Sequence, residues 1–109
     1  MKIRAILFTL ALVSTPAFST YSANLAGEVS GVYTYTEGDY IFFTLKNQPS
    51  SHPGCNPAYF SIDGSVPVDR RKIMLARLMA AYATHETVNI GYDKDGTCSE
   101  GVIRVYRVG

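Results

Sequence analysis

The sequence predicts a small, mainly β domain with one helix and one disulfide, its elements running in the order β-β-β-α-β-β. Three observations carry this. Runs of β-branched and aromatic residues recur along the chain, separated by turn signals. One stretch, "VPVDRRKIMLARLMAAYATHETV", repeats its apolar residues at spacings of three and four. The only two cysteines, Cys55 and Cys98, stand on either side of that stretch.

The chain opens "MKIRAILFTLALVSTPAFS". Lys2 and Arg4 form a positive head, Ile6 to Val13 an apolar run too short to cross a bilayer, and Ala17-Phe18-Ser19 a small-residue exit. This is the pattern of a cleaved export signal over residues 1–19; a buried N-terminal helix is the competing reading. The product is then exported, periplasmic or secreted, with no membrane insertion after cleavage. Removing 19 of 109 residues leaves 90, a single domain over residues 20–109. Losing Lys2 and Arg4 leaves eight basic side chains against nine acidic ones, a net charge of −1. Such a domain lacks the basic footprint of a nucleic-acid binder.

After a polar lead, Thr20 to Leu25, two alternating runs, Val29 to Thr36 and Tyr40 to Leu45, flank Glu37-Gly38-Asp39. That is a hairpin. Ile41, Phe43 and Leu45 share one face of the second run and Tyr40, Phe42 and Thr44 the other, so both faces call for cover. Gly31 inside the first run marks a bulge or bend. "KNQPSSHPGCNP" is a turn-rich loop, and Ala58 to Gly64 a third strand ending at an Asp-Gly turn. The helix follows, with Asp69 as its N-cap and Met74 or Leu75, Leu78, Ala81 and Tyr82 as a core-facing stripe. Strands beginning at Val88 and Gly101 complete the series. The order suits a small OB-like five-stranded barrel, its helix plugging one end between strands three and four. An α+β sheet under one covering helix is the competing arrangement.

In an exported chain a lone cysteine pair favours a disulfide. Zinc wants four ligands, and His52 and His85 have no zinc-ligand spacing to either cysteine. A thioredoxin-like site wants its cysteines nearly adjacent. Closing so long a loop is worth ~4 kcal/mol in the chain-entropy model. For a small domain with a net stability of about 5–15 kcal/mol, that is a large share.

No Ser/His/Asp order, carboxylate pair on a recognisable scaffold or phosphate-binding glycine loop emerges, so no residue is marked as catalytic and no cofactor or metal is called for. Of eight tyrosines, Tyr33, Tyr35, Tyr40 and Tyr59 fall in or beside the first three strands. Tyrosine offers wide contact area and a hydroxyl, which suits sugar stacking and protein interfaces; covering a barrel short of leucine is the plainer role. Arg70, Arg71 and Lys72, joined by Arg77, form either an anion-receiving cluster or a solvated helix face. His85, where the helix ends, fits a left-handed C-cap. His52 reads as a surface loop residue. "DKDG", Asp93 to Gly96, lacks the closing glutamate of a calcium loop and reads as a turn.

The export signal, Cys55 ahead of strand three, "KIMLARLMAAYATHETVNIGY", Cys98 after strand four and the closing "IRVYRV" together resemble a group of small secreted bacterial OB-fold proteins. That group is related in fold to the B subunits of subtilase cytotoxin and pertussis-like AB5 toxins. The most specific segment is Leu75 to Ile90, where many relatives carry Gly-Lys at the positions of His85 and Glu86. The resemblance implies an OB barrel, a Cys55–Cys98 pair, assembly into a ring of identical subunits and glycan recognition. It carries no sugar-binding residue onto this sequence. The expectation is an exported, non-catalytic binding module for a glycan or protein partner, working as a homo-oligomer. The alternative is a periplasmic inhibitor or accessory protein that touches an envelope enzyme through a loop such as Gln48 to Pro57.

Overall fold

Buried and half-exposed side chains alternate strictly along the second strand, and that period fixes how the sheet curls around its core. The computed structural model describes residues 21–109, so the expected export signal lies outside the described residues. Its elements are β1 (Ala23–Thr34), β2 (Ile41–Leu45), β3 (Asn56–Ile62), α1 (Val68–Thr84), β4 (Thr87–Tyr92), β5 (Cys98–Ser99) and β6 (Val102–Val108). Neighbouring strands run β3-β2-β1-β4-β6, and a parallel pairing of β6 with β3 closes the ring. The result is the OB-like five-stranded barrel, with β5 added as a short extra strand against β6. Closure rules out the open sheet under a helix.

β1 is longer than its β-branched run suggests. Residues 23–25 are strand rather than polar lead, because Ala23 to Glu28 pair in register with β4, from Ala23 opposite Tyr92 to Glu28 opposite Thr87. Asn24 and Ala26 are simply the outward positions of that segment. Past Val29 the strand changes partner to β2, and the register slips between Val29 and Gly31. The bulge expected at Gly31 therefore lies where β1 turns a barrel corner.

α1 begins two residues earlier than expected. Pro67, with φ −51° and ψ 139°, is the capping residue, and its carbonyl takes the first helical bond from the Arg71 N–H at 3.0 Å. Asp69 is therefore not the N-cap but sits inside the first turn, where a carboxylate suits the positive end of the helix. At the other end His85 adopts φ 57° and ψ 31°, the expected left-handed cap, and donates its N–H to the Ala81 carbonyl. Leu78 and Ala81 are fully buried, with Met74 and Leu75 packed at the margin. Tyr82 departs from the expected stripe. It lies about 100° around the helix from Ala81 and is 40% exposed.

Phe43 and Phe60, both wholly buried, meet at 5.4 Å in the barrel interior, among Ile62, Leu78, Ile90 and Ile103. Cys55 and Cys98 form the disulfide, tying the loop before β3 to β5. His52 holds the same loop and is more than a surface residue. Its Nδ1 accepts the N–H groups of Gly54 (3.1 Å) and Cys55 (2.9 Å), so Nε2 carries the proton and donates to the Asp93 carbonyl at 2.8 Å.

Just after β3, Asp63 is the hub of a polar cluster. It accepts from Ser65, from Ser99 Oγ at 2.6 Å and from Arg104 at 3.0 Å. Ser99 in turn accepts from the buried Ser61 at 2.9 Å, since its own proton is given to Asp63. The Ser65 and Ser99 hydrogen bonds, then the Arg104 charge, hold the Asp63 carboxyl down at about 2 against the opposing pull of burial. A pKa depressed from 3.8 to about 2 stabilises the fold fully above pH ~4, by up to ~2 kcal/mol. That contribution fades as the pH falls through 2. Asp63→Asn is expected to lower stability in urea titrations at pH 7, with the gap to the parent protein closing near pH 2; an equal gap at both values would refute the assignment.

Candidate functional site

The outer face of β1, β2 and β3 carries a continuous row of aromatic rings. Strand alternation sends Tyr33, Phe42 and Tyr59 outward, and the register sets Tyr33 directly opposite Phe42. Tyr59 stacks on Phe42 at 5.5 Å and meets Tyr33 edge-on at 5.7 Å. Tyr40 and Tyr35, at the two ends of the β1–β2 turn, extend the row: Tyr40 lies 4.9 Å from Phe42, and Tyr35 lies 5.5 Å from both. All four tyrosines singled out from the sequence are thus brought together. Phe42 was the missing member; its place on the same face as Tyr40 was the signal that could have found it.

Tyr33 and Tyr35 are 42% and 45% exposed, whereas Tyr40 and Tyr59 are half-buried. Rings that support one another edge to edge lose little freedom when a ligand covers them. The surface offers flat ring faces for apolar contact and four phenolic hydroxyls for hydrogen bonds.

The basic residues behave differently. Arg70, Arg71 and Lys72 are consecutive on a helix and therefore point about 100° apart. Arg71 is a structural clamp, donating from Nε to the Val66 carbonyl and from Nη1 to the Asp39 carbonyl, both at 2.8 Å. It fastens the helix start to the β1–β2 turn. Lys72 lines a cleft of about 230 Å³ between that turn and α1, alongside Tyr40, Ile41, Val68 and Leu75. This cleft adjoins the aromatic row through Tyr40. Arg77 pairs with Glu86 at 3.1 Å, and Arg70 faces a separate cleft with Arg107. The four cations do not converge on one anion.

The two histidines have different surroundings. The ring nitrogens of His52 are both engaged by main chain. His85 Nδ1 sits 2.9 Å from Glu28 Oε1, which Lys46 also approaches at 3.0 Å. Lys46 first and His85 second hold the Glu28 carboxyl below its ordinary value. The cluster is exposed, so it contributes little to stability. Asp93 accepts from Ser22 and from the Asp95 N–H, both at 3.1 Å, and organises the expected turn. Among the described residues no three His, Cys, Asp or Glu side chains gather as a metal site requires.

No family model, curated protein or solved structure matches this chain.

Proposed function

We propose that the chain is an exported, non-catalytic binding module that holds a glycan on the face formed by Tyr33, Tyr35, Tyr40, Phe42 and Tyr59. The observation that carries this reading is the mutual packing of five rings on an outer barrel surface with two of them left open to solvent. A sugar ring presents C–H groups to an aromatic face and hydroxyls to its rim, and a row of tyrosines meets both needs. OB-like barrels use the face of their second and third strands and the neighbouring turns for oligosaccharides and oligonucleotides. The near-neutral charge argues for the uncharged polymer of the two. The resemblance to toxin B subunits points the same way and adds assembly into a ring of identical subunits.

The test is a glycan array probed with the mature, oxidised protein, followed by Tyr33→Ala and Tyr35→Ala. Each exposed ring contributes about 1 kcal/mol, so each variant is expected to weaken retention roughly fivefold, with circular dichroism unchanged. An array on which the parent protein keeps no glycan sinks the proposal.

One observation favours the second reading, an inhibitor or accessory protein acting on an envelope enzyme. The loop from Gln48 to Pro57 is fastened at both ends: Gln48 accepts from the Leu45 N–H at 3.1 Å and donates to the Pro57 carbonyl at 2.9 Å. His52 and the disulfide hold its middle, while Ser50, Ser51, Pro53 and Gly54 remain exposed. A loop already fixed in shape loses less entropy on docking. Hydrogen-exchange protection confined to Ser50–Cys55 on adding a purified enzyme, with Tyr33 to Tyr40 unaffected, would favour it.

A further inference from the structure

A second recognition surface lies away from the aromatic row, between the first turns of α1 and the end of β6. We propose that this cleft receives an extended acidic segment of a partner protein, laid alongside β6. The reading is independent of glycan binding.

The backbone leaves one flank of β6 open there. On the flank it shares with β3, pairing runs only from Val102 opposite Asn56 to Arg104 opposite Ser61, and among the described residues no strand continues beyond Arg104. On the other flank β4 stays paired with β6, Tyr92 facing Val105 and Gly91 facing Arg107, and the extra residue between them, Tyr106, forms a bulge beside the cleft. A strand edge without a neighbour is a template for an added strand.

The side chains match an acidic, partly apolar occupant. The cleft holds about 280 Å³, lined by Ile73, Met74, Tyr106 and Val108 and flanked by Arg70 and Arg107. Ile73 is 69% exposed, the most open large apolar side chain among the described residues. Arg71, Arg77 and Arg104 all have side-chain hydrogen bonds. Arg70 and Arg107 have none among the described residues, and no carboxylate lines the cleft. Two free guanidiniums from two different elements, set around an apolar floor, suit carboxylates that bind them in bidentate fashion. An extended segment alternates its side chains, so acidic residues reach the arginines while apolar ones enter the cleft. Two cations fall short of the cluster of about four or more that draws a chain to anionic lipid.

The probes are two blocked hexapeptides, one alternating valine with glutamate and one alternating valine with lysine, titrated into isotopically labelled mature, oxidised protein. The glutamate peptide is expected to shift the amide signals of Ile73, Tyr106 and Val108 and to bind at least ~10-fold tighter than the lysine peptide. The Arg70→Gln/Arg107→Gln variant, whose altered side chains are exposed and unbonded, is expected to keep the parent spectrum elsewhere and lose that preference. An equal response to both peptides, no cleft shifts at millimolar peptide, or shifts confined to the tyrosine face overturns the proposal. So does cosedimentation with phosphatidylglycerol vesicles that the same variant abolishes, if the peptides leave the cleft signals unmoved.

Discussion

Replacing both Cys55 and Cys98 by serine is expected to lower the thermal midpoint of the barrel domain by about 20 °C. The two cysteines are 43 positions apart, and releasing a loop of that length restores ~4 kcal/mol of freedom to the unfolded chain. In a domain of this size each kcal/mol moves the midpoint by about 4–8 °C. The loss falls on a small structure whose interior is a single cluster of buried side chains inside a five-stranded barrel. The bond also fixes the loop ahead of β3, so its removal loosens the segment that His52 organises. Calorimetry on the parent and the double variant checks this, with the parent under reductant as a second arm. A midpoint that moves by less than a few degrees in both arms would show that the barrel stands without its cross-link.

Phe60→Ala carries the second large effect. Phe60 is wholly buried, lies 5.4 Å from Phe43 and 5.5 Å from Tyr92, and belongs to the strand that pairs with both β2 and β6. Truncating such a ring removes its transfer energy and leaves a cavity that the surrounding strands cannot collapse to fill, a cost of about 3–5 kcal/mol. Urea titration of the oxidised protein should show the loss as a lower midpoint with an unchanged slope. Phe60→Leu, which keeps most of the volume, should cost less than ~1.5 kcal/mol. If the alanine and leucine variants were equally stable, Phe60 would not be part of a tightly filled interior.

The barrel and its cross-link could be read from the sequence because the strongest signals there are local. "IFFTL" alternates cleanly, the helical stretch repeats at three and four, and Gly31 breaks a β-branched run where a corner is needed. Residues 23–25 escaped because nothing in them favours a strand; pairing with β4 makes them one. β5 is two residues long and exists only through its pairing with β6. Spacing places Tyr82 inward because the second half of the helix, Leu78 to Thr84, carries no charged residue and leaves several faces equally apolar. The tyrosines were visible as a surplus, but their contact depends on cross-strand register, which sets Tyr33 opposite Phe42. The basic run leaves an anion cluster and a solvated face both open in the sequence; the fold gives Arg71 to the Val66 and Asp39 carbonyls and Arg77 to Glu86. What sequence reasoning missed entirely is the β6 cleft. It joins residues from positions 70–74 to residues from 106–108, and only the folded barrel brings these segments together.

The last strand touches β3, β4 and β5, and without it the ring of strands has no closing stave. Its closing partner β3 lies far upstream, so a chain still being synthesised can assemble hairpin and helix but cannot shut the cylinder until β6 has left the ribosome. Completion of this fold is therefore a late, all-at-once event. Until β6 emerges, the barrel segment stays an unclosed sheet.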